Sequence, residues 1–510
     1  MINGALLIEK LLEYSKNSLH LNERDETFFR NILMREFNVD EPISEKLDLS
    51  PISELEVPDQ LVQEIELFAR ENNLVEEGLE NLYSTYIMGI LSPLPSKVNE
   101  EFNAIKRTQG VEKACEYFYN LSVRSNYVQK TAISKNLKWT YPDGDKYIEI
   151  TINLSKPEKD NKETAKLLIA PKKAKYPACL LCKENEGYKG TATHPARENI
   201  RTISLNMGGE KWFVQYSPYA YFEEHLIAIN ESHVPMHVEG DTIEKLLDFV
   251  DYFPNYMVGS NASLPIIGGS ILNHEHFQGG KHLMPVHFAP LKKTFELKQY
   301  PEVKFGVVDW YNTVLRLESK NREQISKLAT DIVYAWKAFS DVECGIIDNT
   351  AGVQHNSVAP VCRKTSDGYV FDIILRNNRT NEEYPDGIFH AHPEYHNIKK
   401  ESIGLIEAMG LFILPGRLKK QLGMIAEILC KKAEYNEKAL AESTDYLYAH
   451  RRMIKELIEE GYAVDMERAE KRVTNKVNNV CKNILINTAV FKDDEAGNKG
   501  LERFLSRLGV

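Results

Sequence analysis

The stretch Ile266-Ile267-Gly268-Gly269-Ser270-Ile271-Leu272-Asn273-His274-Glu275-His276-Phe277-Gln278-Gly279-Gly280 decides how the rest of the chain is read. It is apolar, punctuated by glycine, and carries two histidines and a glutamine at alternate positions. In an extended backbone alternate side chains share a face, so His274, His276 and Gln278 point one way and Glu275 and Phe277 the other. Flanking glycines let a ligand approach the backbone and supply turns that bulkier residues resist. Three polar groups on one face, with Gly269 and Ser270 just ahead of them, suit a phosphate and an imidazole nucleophile. The bland alternative is a strand edge with two solvated histidines.

His276 is the candidate nucleophile. Imidazole attacks a phosphoryl centre without a strong base when one ring nitrogen is free, and a partner on the other nitrogen sets the tautomer. Gln278 then decides transfer against hydrolysis. A carboxamide can donate to a non-bridging oxygen and accept through its carbonyl, but it cannot shuttle a proton. A site without a general acid suits a leaving group that needs none, such as a sugar phosphate. The pattern points to nucleotidyl transfer between phosphates.

With 510 residues the chain exceeds the size at which single cores stop growing, so two or more cores, or one core with large additions, are expected. A composition that is 43% hydrophobic and 27% charged is that of a globular protein rather than a disordered one. The net charge of −11 argues against nucleic acid as the main partner, so an anionic ligand needs a local cationic pocket. Arg197 and Arg201 are candidates for a diphosphate by charge. Lys399 and Lys400 are expected to open a helix, where backbone N–H groups and cations favour phosphate. No apolar run approaches ~20 residues, so no membrane span is expected. Charges interrupt the apolar start Ala5-Leu6-Leu7-Ile8-Glu9-Lys10, which lacks a signal-peptide pattern, and a cytoplasmic location is the expectation.

Hydrophobic periodicity divides the chain. Residues 1–136 read as helical, with Leu6-Leu7 and Leu11-Leu12, Phe28-Phe29 and Ile32-Leu33, and Leu61-Val62, Ile65 and Leu67-Phe68 at helical spacing. Pro51, Pro58 and Leu91-Ser92-Pro93-Leu94-Pro95 interrupt it. From Leu137 the period becomes two: Leu137, Trp139 and Tyr141 alternate, Pro142-Asp143-Gly144 turns, and Ile148, Ile150 and Ile152 return. Strand-like runs follow at Trp212–Tyr216 and at residues 225–229, then a helix over residues 244–253. A second hairpin flanks Thr365-Ser366-Asp367-Gly368, and from Ile403 the chain reads as mostly helical, broken at Pro415-Gly416. The expected class is α+β, with antiparallel-sheet halves at 137–300 and 301–410 and helical additions at 1–136 and 411–510.

Seven cysteines in a chain this long make no disulfide framework. Cys115, Cys344, Cys362, Cys430 and Cys481 are scattered and read as small buried residues. Cys179 and Cys182 have zinc-ligand spacing, which alone is shared by metal sites, redox pairs and chance. No second such pair exists, so a Cys₂His₂ site must recruit distant histidines, and His233 and His274 are the candidates. Such a site would fix His276 rather than activate water.

His274-Glu275-His276-Phe277-Gln278 resembles the His-x-His-x-Gln motif of galactose-1-phosphate uridylyltransferases, members of the histidine-triad-like (HIT-like) superfamily. The residues around it, together with Cys182-Lys183-Glu184-Asn185-Glu186-Gly187-Tyr188 and Ile398-Lys399-Lys400-Glu401-Ser402-Ile403-Gly404, resemble the type 2 branch. The likeness covers nearly the whole chain. It implies two HIT-like halves and a double displacement in galactose metabolism, the Leloir pathway. UDP-glucose would uridylylate His276 and release glucose 1-phosphate. Galactose 1-phosphate would then take the uridylyl group to give UDP-galactose, with Gln278 contacting the transferred phosphoryl group.

The resemblance also implies zinc on Cys179, Cys182, His233 and His274, no organic cofactor, and a homodimer in which the Lys399-Lys400 stretch meets the partner's sugar phosphate. Type 1 members carry a second, structural metal on three histidines and a glutamate. His355 and the pair His390 and His392 resemble the histidine part, while Glu296 is only the nearest acid to the expected glutamate. His390 and His392 could equally reach a neighbouring subunit's substrate. Two rival readings remain open: a nucleotide phosphorylase or adenylyltransferase within the superfamily, and a metal-dependent hydrolase built on His355, His390 and His392. A non-catalytic zinc-stapled nucleotide-binding regulator is a further one.

Overall fold

The computed structural model describes residues 2–45, 47–155, 176–440 and 442–510. The chain forms two compact units, Met1–Lys135 with Pro157–Val234, and Asn136–Lys156 with Pro235–Val510.

The first unit opens with helices Gly4–Ser18, Glu26–Glu36, Asp59–Glu71, Glu80–Leu91, Pro95–Gln109 and Val111–Arg124. Leu7, Leu11, Leu61, Ile65, Phe102 and Phe118 are buried along their inward stripes. Phe28 and Leu67 depart from that pattern and stand exposed. Leu61, Ile65 and Phe68 already fill the buried face of their helix, and Leu67 lies one residue, about 100° of helical turn, away from it. The proline-rich break falls where expected: one helix stops at Leu91, and Pro95 opens the next, where its missing N–H costs nothing. An antiparallel set follows, Ile203–Met207, Glu210–Tyr216 and Leu226–Asn230, with Leu205 opposite Trp212 and Val214 opposite Ala228.

In the second unit the hairpin pairs Leu137–Asp143 with Lys146–Asn153. Its turn is Gly144-Asp145, a residue later than Pro142-Asp143-Gly144 indicates, because Gly144 takes the positive φ of 63°. Leu411–Pro415 joins this hairpin as a parallel strand. Periodicity assigned that stretch to helix, but five residues of continuous apolar character, closed by proline, fit a short buried strand equally well. The main sheet of the unit runs His276–Gly280, Met257–Gly259, Asn356–Thr365, Gly368–Asn377, Val314–Ser319, Lys304–Val308 and Leu291–Phe295, every neighbour antiparallel. The expected second hairpin is present, with Thr365 opposite Gly368.

Helices Gly240–Tyr252 and Arg322–Lys337 pack against the sheet strand Asn356–Thr365 and against each other. Arg417–Leu429, Arg451–Glu459, Met466–Thr488 and Glu495–Arg507 make up most of the C-terminal region. The α+β class with antiparallel sheets is as expected. Periodicity changes mark 137–300 and 301–410, whereas the compact units follow contacts. The hairpin at 137–153 therefore goes with the second unit, to which Leu411–Pro415 ties it.

Candidate active site

His276 opens the strand His276–Gly280, and Gln278 sits two residues on, opposite Gly259. Gln278 is half-buried, whereas His274, Glu275, His276 and Phe277 are all buried. His274 precedes the regular strand, so only His276 and Gln278 share its pleat. The ring of His276 turns back on the chain, with Nδ1 2.8 Å from the carbonyl oxygen of His274. A carbonyl only accepts, so Nδ1 carries the hydrogen and Nε2 holds the lone pair. Burial lowers the pKa of His276 below its ordinary value, while the bond to the His274 carbonyl pulls the other way. A neutral imidazole with Nε2 unprotonated is the form a nucleophile needs.

The glycines before the motif are conformationally required. A Cβ on Gly268 would meet the carbonyl oxygens of Ala262 at 2.2 Å and Leu264 at 2.5 Å. Gly269 has φ +77°, a conformation that side-chain-bearing residues rarely adopt. Ser270 is exposed beside it.

In the first unit Cys179, Cys182 and His233 converge. The two Sγ atoms are 3.5 Å apart, and Cys182 Sγ lies 3.0 Å from His233 Nδ1. Zinc with ~2.3 Å bonds to sulfur and ~2.0 Å to nitrogen at tetrahedral angles sets these separations near ~3.8 and ~3.5 Å. An opening of a few tenths of an ångström would admit the ion. Burial, reinforced by the neighbouring Cys179 thiol, pushes Cys182 up to about 11. A divalent cation would reverse that by stabilising the thiolate. The donor set fits zinc.

The other sequence-derived candidates separate. Arg201 does not present its guanidinium to a ligand: it is buried and donates to the carbonyls of Gly89, Ser92, Pro93, Glu198 and Ile200. It closes the end of helix Glu80–Leu91, a role that charge alone could not reveal. Arg197 is half-buried, its guanidinium 5.5 Å from the ring centre of Tyr127. Lys399 and Lys400 do not open a helix, which begins only at Leu405. Lys399 is buried, with Nζ 2.9 Å from Glu407 Oε1 and 3.0 Å from the Ile413 carbonyl, while Lys400 is exposed.

Among the described residues His355, His390 and His392 are not gathered as metal donors. His355 Nδ1 lies 2.9 Å from Asn378 Oδ1. His390 accepts the Ile403 N–H at 3.0 Å, and burial pushes its pKa down to about 3. His392 stacks on Tyr384 at 3.9 Å between ring centres and turns Nε2 to the Ile388 carbonyl. Among the described residues their nitrogens are not a convergent donor group. Each ring instead has a partner of its own. Glu296 is exposed.

One arrangement has no motif in the sequence. His237, Asp241 and Glu275 converge in the second unit, with Lys245 among them. The only local signal was a glutamate on the apolar face of the motif.

Residues 46–235 match the family model described as galactose-1-phosphate uridyl transferase, N-terminal domain, and residues 248–444 match the C-terminal domain of the same family. A galactose-1-phosphate uridylyltransferase of Caldanaerobacter subterraneus is 43% identical over 99% of this chain and 98% of its own. Those of Clostridium acetobutylicum and Bacillus subtilis are 39% and 38% identical, covering 100% and 99% of this chain and 100% and 97% of theirs. The chain belongs to the galactose-1-phosphate uridylyltransferase family.

Proposed function

We propose that the chain moves a uridylyl group from UDP-glucose to galactose 1-phosphate by way of His276, giving glucose 1-phosphate and UDP-galactose. The reading rests on one observation above all: the Nδ1 bond of His276 to the His274 carbonyl, which leaves Nε2 as the ring nitrogen able to attack. Family membership supports the donor and the acceptor.

In the first step the Nε2 lone pair attacks the α-phosphorus of UDP-glucose. The phosphorus–oxygen bond to glucose 1-phosphate breaks, and that group leaves with the bonding pair. A phosphate oxygen of galactose 1-phosphate then attacks the same phosphorus and displaces Nε2. The proton on Nδ1 stays in place throughout, and the His274 carbonyl stabilises the cationic ring of the intermediate. Glucose 1-phosphate leaves as a stable anion and Nε2 leaves as neutral imidazole, so neither step needs a general acid. Gln278 donates its amide to a non-bridging oxygen of the transferred group. Gly269 and Ser270 line the approach of the donor, and Arg197 and Lys400 supply cationic contacts to the diphosphate and the sugar phosphate.

Cys179, Cys182 and His233 would hold zinc in a structural role, with His274 as the fourth donor that the family resemblance implies. The protein works as a homodimer in the cytoplasm, on small anionic substrates rather than on nucleic acid or membranes.

Intact mass spectrometry after incubation with UDP-glucose alone tests the reading. A gain of one uridylyl group, labile to acid and removed by galactose 1-phosphate, is the expected result. Consumption of the donor without an adduct would favour hydrolysis, and neither adduct nor consumption would sink the assignment.

A further inference from the structure

Glu275 stands between the two histidines, yet it is fully buried. A carboxylate without solvent is costly unless it is paired. Its partner is Lys245, itself buried at 2% exposure on helix Gly240–Tyr252, with Nζ 3.0 Å from Glu275 Oε1 and 3.4 Å from Oε2. The same ammonium lies 3.0 Å from Asp241 Oδ2, one helical turn back. His237 Nε2 is 2.7 Å from that carboxylate oxygen and 3.9 Å from Glu275 Oε1. Asp241, Glu275 and His237 thus converge as metal donors would, and the lysine ammonium supplies the cation.

We infer that Glu275 and Lys245 are positioning residues that set the tautomer and aim of His276; the inference rests on the reading of His276 as the nucleophile. The peptide joining His274 to Glu275 is planar, so the His274 carbonyl and the Glu275 N–H turn as one unit. Anchoring the Glu275 side chain to the helix fixes its Cα and restricts the rotation of that plane. The plane carries the oxygen that accepts the His276 Nδ1–H at 2.8 Å. A second tether holds the segment: the Met236 N–H donates to the Leu272 carbonyl at 2.9 Å. Release of the anchor lets the carbonyl swing, and the hydrogen is then shared between Nδ1 and Nε2. Nε2–H cannot attack phosphorus.

The full chain provides the test, in two variants. Glu275→Gln keeps the shape and removes the charge. The double variant Lys245→Met with Glu275→Leu removes both charges and leaves no buried ion unpaired. In both, single-turnover formation of the uridylyl enzyme should slow about ten- to a hundredfold, the loss expected when a reacting group is misaimed. KM for UDP-glucose and for galactose 1-phosphate should change less than ~threefold, since ground-state binding is untouched. Nitrogen-15 shifts of His276 should move from pure Nδ1–H to a mixture of tautomers, which a merely structural salt bridge would not produce. A wild-type rate with an unaltered tautomer in the folded double variant overturns the inference. Should the unsubstituted chain form no uridylyl-histidine, the functional reading fails instead, and the tautomer signature still judges the anchor.

Discussion

The Nδ1 atom of His276 lies 2.8 Å from the carbonyl oxygen of His274, two residues back along the same chain. That bond makes the backbone of one motif histidine the orienting group of the other. The group that meets Nδ1 is a backbone carbonyl rather than a side-chain carboxylate.

Replacement of His276 by glycine or alanine should lower the rate of uridylyl transfer by at least about 10⁴-fold, the scale of loss when a covalent nucleophile is removed. Circular dichroism and the unfolding midpoint should stay close to those of the unsubstituted chain, because a single opening residue of a five-residue strand is changed. Near-normal turnover would contradict the assignment.

Cys182→Ser should abolish zinc binding, read as metal per chain by mass spectrometry. It should also lower the unfolding midpoint by about 2 °C or more, the consequence of ~1 kcal/mol or more lost from a unit of this size. Prolonged chelation of the unsubstituted protein should reproduce both effects. An unchanged metal content in Cys182→Ser would remove the thiol pair from the metal site.

Arg201→Ala should destabilise the fold by about 3 kcal/mol or more, since buried carbonyls lose a charged donor. KM for UDP-glucose should stay within ~twofold if the arginine binds no diphosphate. Denaturant unfolding and steady-state kinetics separate the two roles, and a large rise in KM in a stably folded variant would restore Arg201 to the substrate site.

Glu198 gives a signed dependence on pH. Burial pushes its carboxyl up to about 7, and its Oε2 has no partner among the described residues. Between the ordinary carboxylate value of 4.5 and about 7 the folded chain binds this proton more tightly than the unfolded chain. This contribution to stability is therefore present at low pH, falls as pH rises through that window and is lost above it. Glu198→Gln should remove the slope and raise the unfolding midpoint at pH 8 relative to pH 5. The difference should be on the order of 2 kcal/mol after allowance for partial exposure. Parallel pH dependences in the two proteins would refute this.

Local pattern carried much of this protein. Alternation placed His276 and Gln278 on one pleat, helical spacing located the N-terminal helices, and the spacing of Cys179 and Cys182 was compatible with a convergent pair. These are short-range properties, set by backbone geometry within a few residues, and the sequence by itself determined them. The tertiary structure decided what each charged group does. Arg201 and Arg197 are four residues apart, yet only Arg201 reaches the carbonyl end of a helix about 110 positions earlier. Lys399 is neutralised by Glu407 while its neighbour Lys400 meets solvent. His355, His390 and His392 look like a ligand set in sequence, but the fold supplies each ring with a separate partner. Glu275 shows the limit most plainly: its charge on an apolar face makes sense only once a helix thirty residues upstream brings Lys245 to it. Pairing energies depend on distances between parts of the chain remote in sequence, and only folding sets those distances.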